Sequence, residues 1–128
     1  MFEDFTRTNV KTSGATIHVR HGGSGPPLLL LHGFPETHVQ WHRVAPTLAE
    51  HFTVVCPDLR GHGDSSKPEA GPENANYAKR VMASDQVELM ATLGCERFGL
   101  IDHDRGGRVA HRLALDHPER VNRLALLD

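Results

Sequence analysis

The stretch Gly99-Leu100-Ile101-Asp102-His103-Asp104-Arg105-Gly106-Gly107-Arg108-Val109-Ala110-His111-Arg112 decides the fold. Residues 98–101 are an apolar run of strand length, the pattern of a strand covered on both faces of a parallel sheet. The run ends abruptly in polar residues and two glycines, and a helical pattern then continues to Asp116. Such a sharp strand-to-helix turn puts Asp104 on a tight bend at the carboxyl end of the sheet. This is the layout of a nucleophile elbow, with aspartate where serine is usual. Gly106 lets the new helix pass close to the strand. The helix N-terminus lies under the Asp104 carboxylate and favours its charge.

On the N-terminal side, residues 6–12 and 15–21, split by Ser13-Gly14, read as a hairpin, and residues 21–27 as a loop. Leu28-Leu29-Leu30-Leu31 is a second buried strand, followed at once by the turn His32-Gly33-Phe34-Pro35. Residues 41–51 carry apolar side chains at helical spacing, with Pro46 tolerable near a helix start. Residues 52–56 form a third strand, closed by Pro57-Asp58-Leu59-Arg60-Gly61-His62-Gly63-Asp64-Ser65. A Pro/Gly-rich loop, a long helix over 77–93 ended by Gly94, and a last apolar run at 124–127 complete the order. Strands alternating with helices predict an α/β protein with a parallel sheet and right-handed crossovers. The turns named lie at strand carboxyl ends, where such sheets bind ligands.

Composition narrows the classes. A chain of 128 residues, 38% hydrophobic, fits one globular domain, and a net charge of -2 gives no general attraction to nucleic acid or anionic membrane. No apolar stretch approaches the ~20 residues of a membrane span, and the acidic start Met1-Phe2-Glu3-Asp4 lacks a signal-peptide core. Cys56 and Cys95 read as free thiols in a reducing compartment, so a cytoplasmic location is expected. The ten histidines show no metal-ligand spacing. His32, His38 and His42 come closest, and solvated positions are the better reading for them, so no metal is expected. The chain stops directly after an apolar strand with nothing to cover its edge, which natural domains seldom do. A fragment of a longer protein is the expectation.

The turn at residues 32–35, the run Asp58-Leu59-Arg60-Gly61-His62-Gly63-Asp64-Ser65 and the elbow at Asp104 resemble the α/β-hydrolase superfamily. Within it, His103-Asp104-Arg105-Gly106-Gly107-Arg108 is similar to the fluoroacetate (haloacetate) dehalogenases. The first two motifs occur across many hydrolases; the aspartate with arginines at 105 and 108 is more specific. The resemblance implies that residues 1–128 are the N-terminal part of a single α/β-hydrolase domain, ending after its sixth strand, without the lid and C-terminal strands. It implies Asp104 as nucleophile, Arg105 and Arg108 as the clamp on a substrate carboxylate, and Asp128 as the acid that orients a histidine lying further downstream. It implies no cofactor, a small haloacid as substrate, and a homodimer at full length.

An ordinary carboxylate, with pKa of roughly 4, is almost wholly ionised at pH 7 and needs no base before it attacks. Asp104 in that role displaces halide from a saturated carbon, leaving an ester that histidine-activated water hydrolyses. The oxyanion then formed needs donors, for which the backbone N–H groups of Phe34 and Arg105 are candidates. The plainer reading makes Asp104 a helix N-cap; the flanking glycines and upstream motifs favour catalysis. Arg105 and Arg108, three apart, share a helix face and offer a planar, bidentate grip on a carboxylate. As solvated surface arginines they would be ordinary, but a place beside the elbow would bury unpaired charge.

Asp102 departs from the pattern, because two residues before the nucleophile a small residue is usual, and aspartate is expected to crowd the turn. Three functions follow. The first is a dehalogenase for short haloacids. The second is an epoxide hydrolase with the same aspartate chemistry, for which paired arginines have no carboxylate to hold. The third is a catalytically dead hydrolase-fold binding protein. On any of them the 128-residue chain alone is expected not to turn over.

Overall fold

The computed structural model describes residues 4–33 and 36–127. Six strands form one sheet: β1 (Thr6–Lys11), β2 (Thr16–Gly22), β3 (Pro27–Leu31), β4 (Thr53–Pro57), β5 (Phe98–His103) and β6 (Val121–Leu127), in the order β1-β2-β4-β3-β5-β6. β1 and β2 are an antiparallel hairpin, and β2 runs antiparallel to β4. From β4 to β6 all neighbours are parallel.

The period-2 alternation of a strand explains the two-sided core. In β3, Leu29 and Leu31 join Val55, Leu100 and the buried faces of α2 (Lys79–Thr92) and α3 (Arg105–Asp116). Leu28 and Leu30 turn the other way, to Val54, Cys56, Trp41 and Ala45. That second layer is thin: α1 is only Ala45–Leu48, and an apolar groove between Leu48, Phe52, Ile101 and Leu124 stays open beside it.

Two expectations change. The helix expected over 41–51 is instead a 3-10 turn, His38–Trp41, followed by the single turn of α1. Pro46 lacks an N–H and allows a helix to begin around it but not to run through it. The last strand begins at Val121 rather than Leu124. Its first half, with Asn122 and Arg123 exposed, shows no apolar run although its backbone pairs with β5.

Chain direction positions the site. From β3 the chain moves to β4 on one side, then crosses back over β3 to reach β5 on the other. The order therefore reverses between β3 and β5, the switch point where parallel sheets leave a crevice at their carboxyl ends. The turn after β3 and the bend at Asp104 meet there.

Candidate active site

β5 ends at His103 and α3 begins at Arg105, leaving one residue for the whole reversal. Asp104 takes it with φ 51° and ψ -115°. Only Glu73, Asn74 and Asp104 have positive φ among the described residues other than glycine. Such a conformation costs an L-residue about 1–3 kcal/mol. No helix N-cap hydrogen bond from the Asp104 side chain offsets it, and the side chain is exposed. The N-cap reading fails on this geometry. The strained bend leaves Asp104 exposed between β5 and α3.

Around it the packing is close. A Cβ placed on Gly33 would lie 2.9 Å from Asp104 Cβ and 2.6 Å from His103 Nδ1, so the turn after β3 touches the elbow. That turn is held from behind. His32 Nδ1–H donates to the Gly33 carbonyl at 2.9 Å, and Leu59 N–H donates to His32 Nε2 at 3.0 Å. Gly33 N–H donates to Gln40 Oε1 at 2.9 Å, from the 3-10 turn. With the Gly33 N–H committed, the next N–H of the turn is that of Phe34. Phe34 and Asp128 lie outside the described residues.

Both arginines fall in the first turn of α3, and the side chain of Arg105 lies outside the described residues. Arg105 opens α3 and Arg108 lies one turn on, exposed. The argument that this place would bury unpaired charge is thereby corrected, because the carboxyl end of the sheet is open around Arg108. Cations at a helix N-terminus oppose the helix dipole by roughly 0.3–1 kcal/mol each, and no acidic residue in this first turn compensates. Two arginines in that turn therefore lower the stability of the helix. Arg112, by contrast, is occupied: its Nη2 donates to Asp116 Oδ1 at 2.7 Å.

The crowding expected at Asp102 is absorbed. Asp102 is wholly buried in β5, paired in register with Leu31 and Leu126. Its Oδ1 lies 2.8 Å from where a Cβ on Gly107 would stand. The missing side chain at 107 provides the room, and the backbone strain falls on Asp104 alone.

Behind this edge lies a polar network with little signature in the sequence. Asp58 Oδ1 accepts the His38 backbone N–H at 2.7 Å and the His38 Nδ1–H at 2.8 Å, and Oδ2 accepts Asp64 N–H at 3.0 Å. Burial alone would raise the Asp58 carboxyl, but these three donors together hold it below the usual carboxylate range. His32 and His38 are buried, which corrects the solvated positions expected of them. Burial pulls His32 down to about 4, outweighing its bond to Gly33. His18, His38 and Asp58, far apart in the chain, are brought together by the fold. Arg60 crosses to α2, where Nε and Nη2 grip the buried Asp85 at 2.7 Å each.

An α/β sheet whose strand order reverses beside a strained acidic elbow defines a hydrolase-type scaffold. The chain belongs to the alpha/beta hydrolase fold family, whose pattern matches residues 26–128. A fluoroacetate dehalogenase from Burkholderia sp is 62% identical over all 128 residues, which cover 42% of that protein. A soluble epoxide hydrolase from Corynebacterium sp. (strain C12) is 45% identical, again over the whole chain and 43% of its own length. A crystal structure of a protein assigned to the alpha/beta hydrolases in Nostoc sp PCC 7120 superposes with TM-score 0.98 at 62% identity, covering 100% of this chain and 44% of that one. The chain thus spans about two-fifths of the length of the relatives it matches. No helix among the described residues is long and apolar enough to cross a membrane.

Proposed function

We propose that the chain carries the nucleophile half of a hydrolytic dehalogenase acting on short haloacids such as haloacetate. The observation that carries this reading is Asp104: strained, exposed and without a helix-capping bond, between the turn after β3 and a helix start that bears Arg105 and Arg108. Arg105 and Arg108 hold the substrate carboxylate. An Asp104 carboxylate oxygen attacks the carbon bearing the halogen; a C–O bond forms, the C–halogen bond breaks, and halide leaves with the bonding pair. Water then adds to the ester carbonyl, the oxyanion resting on the Phe34 and Arg105 N–H groups, and the hydroxyacid departs. Arg105 N–H fits that task because the first N–H groups of a helix have no intrahelical acceptor. The second step needs a histidine base oriented by Asp128. No cofactor takes part, the site of action is the cytoplasm, and the complete enzyme is a homodimer.

A second reading, an epoxide hydrolase, is favoured by the 45% identity to the Corynebacterium enzyme. It shares Asp104 but leaves the arginine pair without a carboxylate to hold. The deciding experiment compares the 128-residue chain, alone and joined to the remaining length of the Burkholderia dehalogenase, with fluoroacetate, chloroacetate and styrene oxide. Halide and diol are followed, and the Asp104 peptide is weighed after quenching. The joined chain should release halide continuously and the chain alone at most one equivalent, with glycolyl mass on Asp104. Diol without halide would favour the epoxide reading. Label on Asp102, or many equivalents from the 128-residue chain alone, would overturn the assignment.

A further inference from the structure

Beyond the elbow, the structure gathers one other group of chemically active side chains, on the hairpin side of the sheet. His18 lies in β2, His38 opens the 3-10 turn, and Asp58 follows β4; all three are buried. One donor atom from each lies within 4.8 Å of the others, and the two imidazole centroids are 5.3 Å apart. Much of this is an ordinary polar network, since Asp58 is satisfied by His38 and Asp64. His18 is not ordinary. Asn9 Oδ1 accepts from its Nδ1–H at 3.1 Å, which fixes the tautomer and leaves the Nε2 lone pair facing inward. That atom is buried and has no hydrogen-bond partner. Its nearest ionic neighbour is Asp64 Oδ2 at 3.9 Å, on a side chain that is 75% exposed. Two electron-pair donors thus face each other with no hydrogen between them, an arrangement a cation resolves.

We propose that His18 Nε2, His38 Nδ1 and Asp58 Oδ1, with Asp64 as fourth ligand, form a binding site for a borderline divalent transition-metal ion such as Zn2+ or Co2+. Two imidazoles with carboxylates suit these ions, whereas Ca2+ and Mg2+ prefer sets built of oxygen. Bonds of about 2.0–2.2 Å place tetrahedral ligand atoms about 3.3–3.5 Å apart, so the cluster closes by roughly an ångström on binding. The ion takes the place of the hydrogen between His38 Nδ1 and Asp58 Oδ1; the ring proton moves to His38 Nε2 by tautomerisation, and Asp58 exchanges that hydrogen bond for a metal bond. Asn9 orients His18 from the outer shell, the usual partner of a ligating imidazole. Asp64 provides the entry from the surface. The ion ties β2, the 3-10 turn and the loop after β4 to one another, through residues remote from Asp104 in the chain.

The test is titration of the chelator-treated 128-residue chain with Co2+ and then Zn2+. The expected result is one Co2+ per chain with visible d–d absorption, and displacement by Zn2+. His18→Ala should abolish the visible band, and His111→Ala, an exposed residue of α3, should leave it intact. Asn9→Ala, at an exposed position of β1, should weaken binding about 10–100-fold. That variant decides the matter if circular dichroism finds His18→Ala unfolded. No saturable binding, binding unchanged in a folded His18→Ala chain, or affinity unchanged in Asn9→Ala would each overturn the site.

Discussion

The loop after β4 and the bend after β5 leave the same end of the sheet on either side of β3, and they are built on opposite terms. After β4, Asp58, Arg60 and Ser65 are buried and hydrogen-bonded. Asp58 accepts three hydrogen bonds, Ser65 Oγ receives His18 N–H, and Arg60 holds Asp85 with two. After β5, Asp104 is exposed, its backbone is strained, and cations sit at the wrong end of a helix dipole. A saturated network fixes a position; a strained, exposed aspartate is left accessible at the carboxyl end of the sheet. Two aspartates at equivalent places in one sheet therefore differ in what surrounds them.

The sharpest break of that comparison is removal of the strained group. Asp104→Gly places at φ 51° the residue that tolerates it best. Thermal stability should rise, by about 1 kcal/mol, while ester formation in the joined chain falls by about 10³-fold or more. Stability gained with reactivity lost is the signature of a functional strain. A fall in stability would make Asp104 structural after all.

The saturated side should answer in the other direction. Arg60→Met leaves Asp85 buried without its guanidinium, at a cost of about 3–5 kcal/mol read from the denaturant midpoint. Replacing both partners, Arg60→Met with Asp85→Leu, should recover most of it. The double replacement separates the cost of an orphaned charge from the net worth of the pair, which Thr12 Oγ1 also supports at 2.7 Å.

Between the two loops stands His32, and its effect depends on pH. Its folded pKa of about 4 lies below the ordinary 6.5. Below pH 6.5 the unfolded chain takes up a proton that the folded chain refuses, so stability falls with acidification. The contribution is complete above pH 6.5 and is lost progressively down to about pH 4, in all by roughly 3 kcal/mol. The melting temperature followed from pH 7.5 to 4.5 should drop, and His32→Gln should flatten the slope. An equal slope in both chains would assign the dependence to other groups.

How far the sequence carried differs between these regions for a physical reason. The elbow is local: an apolar run, a polar break and two glycines are contiguous, so strand, bend and helix could be placed on residues 98–116 from pattern alone. The four leucines of β3 were equally plain. The network after β4 joins residues far apart in the chain, His38 to Asp58, Ser65 to His18 and Arg60 to Asp85, and periodicity has no access to such pairs. Asp85 falls within the helix expected over 77–93 and nothing adjacent in sequence marks its partner. Gln40 carried no signal either, since its partner is a backbone N–H whose direction exists only once β3 ends. What the sequence did flag without resolving was Asp102.

Asp102 gives the smallest effect and the most specific one. Exchanging glycine for alanine inside a helix ordinarily stabilises it by up to about 1 kcal/mol. At Gly107 the new Cβ would meet Asp102 Oδ1 at 2.8 Å, closer than carbon and oxygen tolerate. The carboxylate is wholly buried, so its retreat has to displace packed neighbours. Gly107→Ala should therefore destabilise the chain, by about 1–2 kcal/mol. In an Asp102→Ala background the obstacle is gone, and the same exchange should stabilise by its ordinary helical preference. The sign of one substitution then reverses with the identity of a residue five positions earlier. Urea denaturation of the four chains measures the coupling directly, and a value of about 2 kcal/mol is expected, well above the ~0.5 kcal/mol of independent sites. A cycle that closes within that margin would show that the Asp102 carboxylate does not sit against the start of α3, and the account of how the elbow accommodates it would fall.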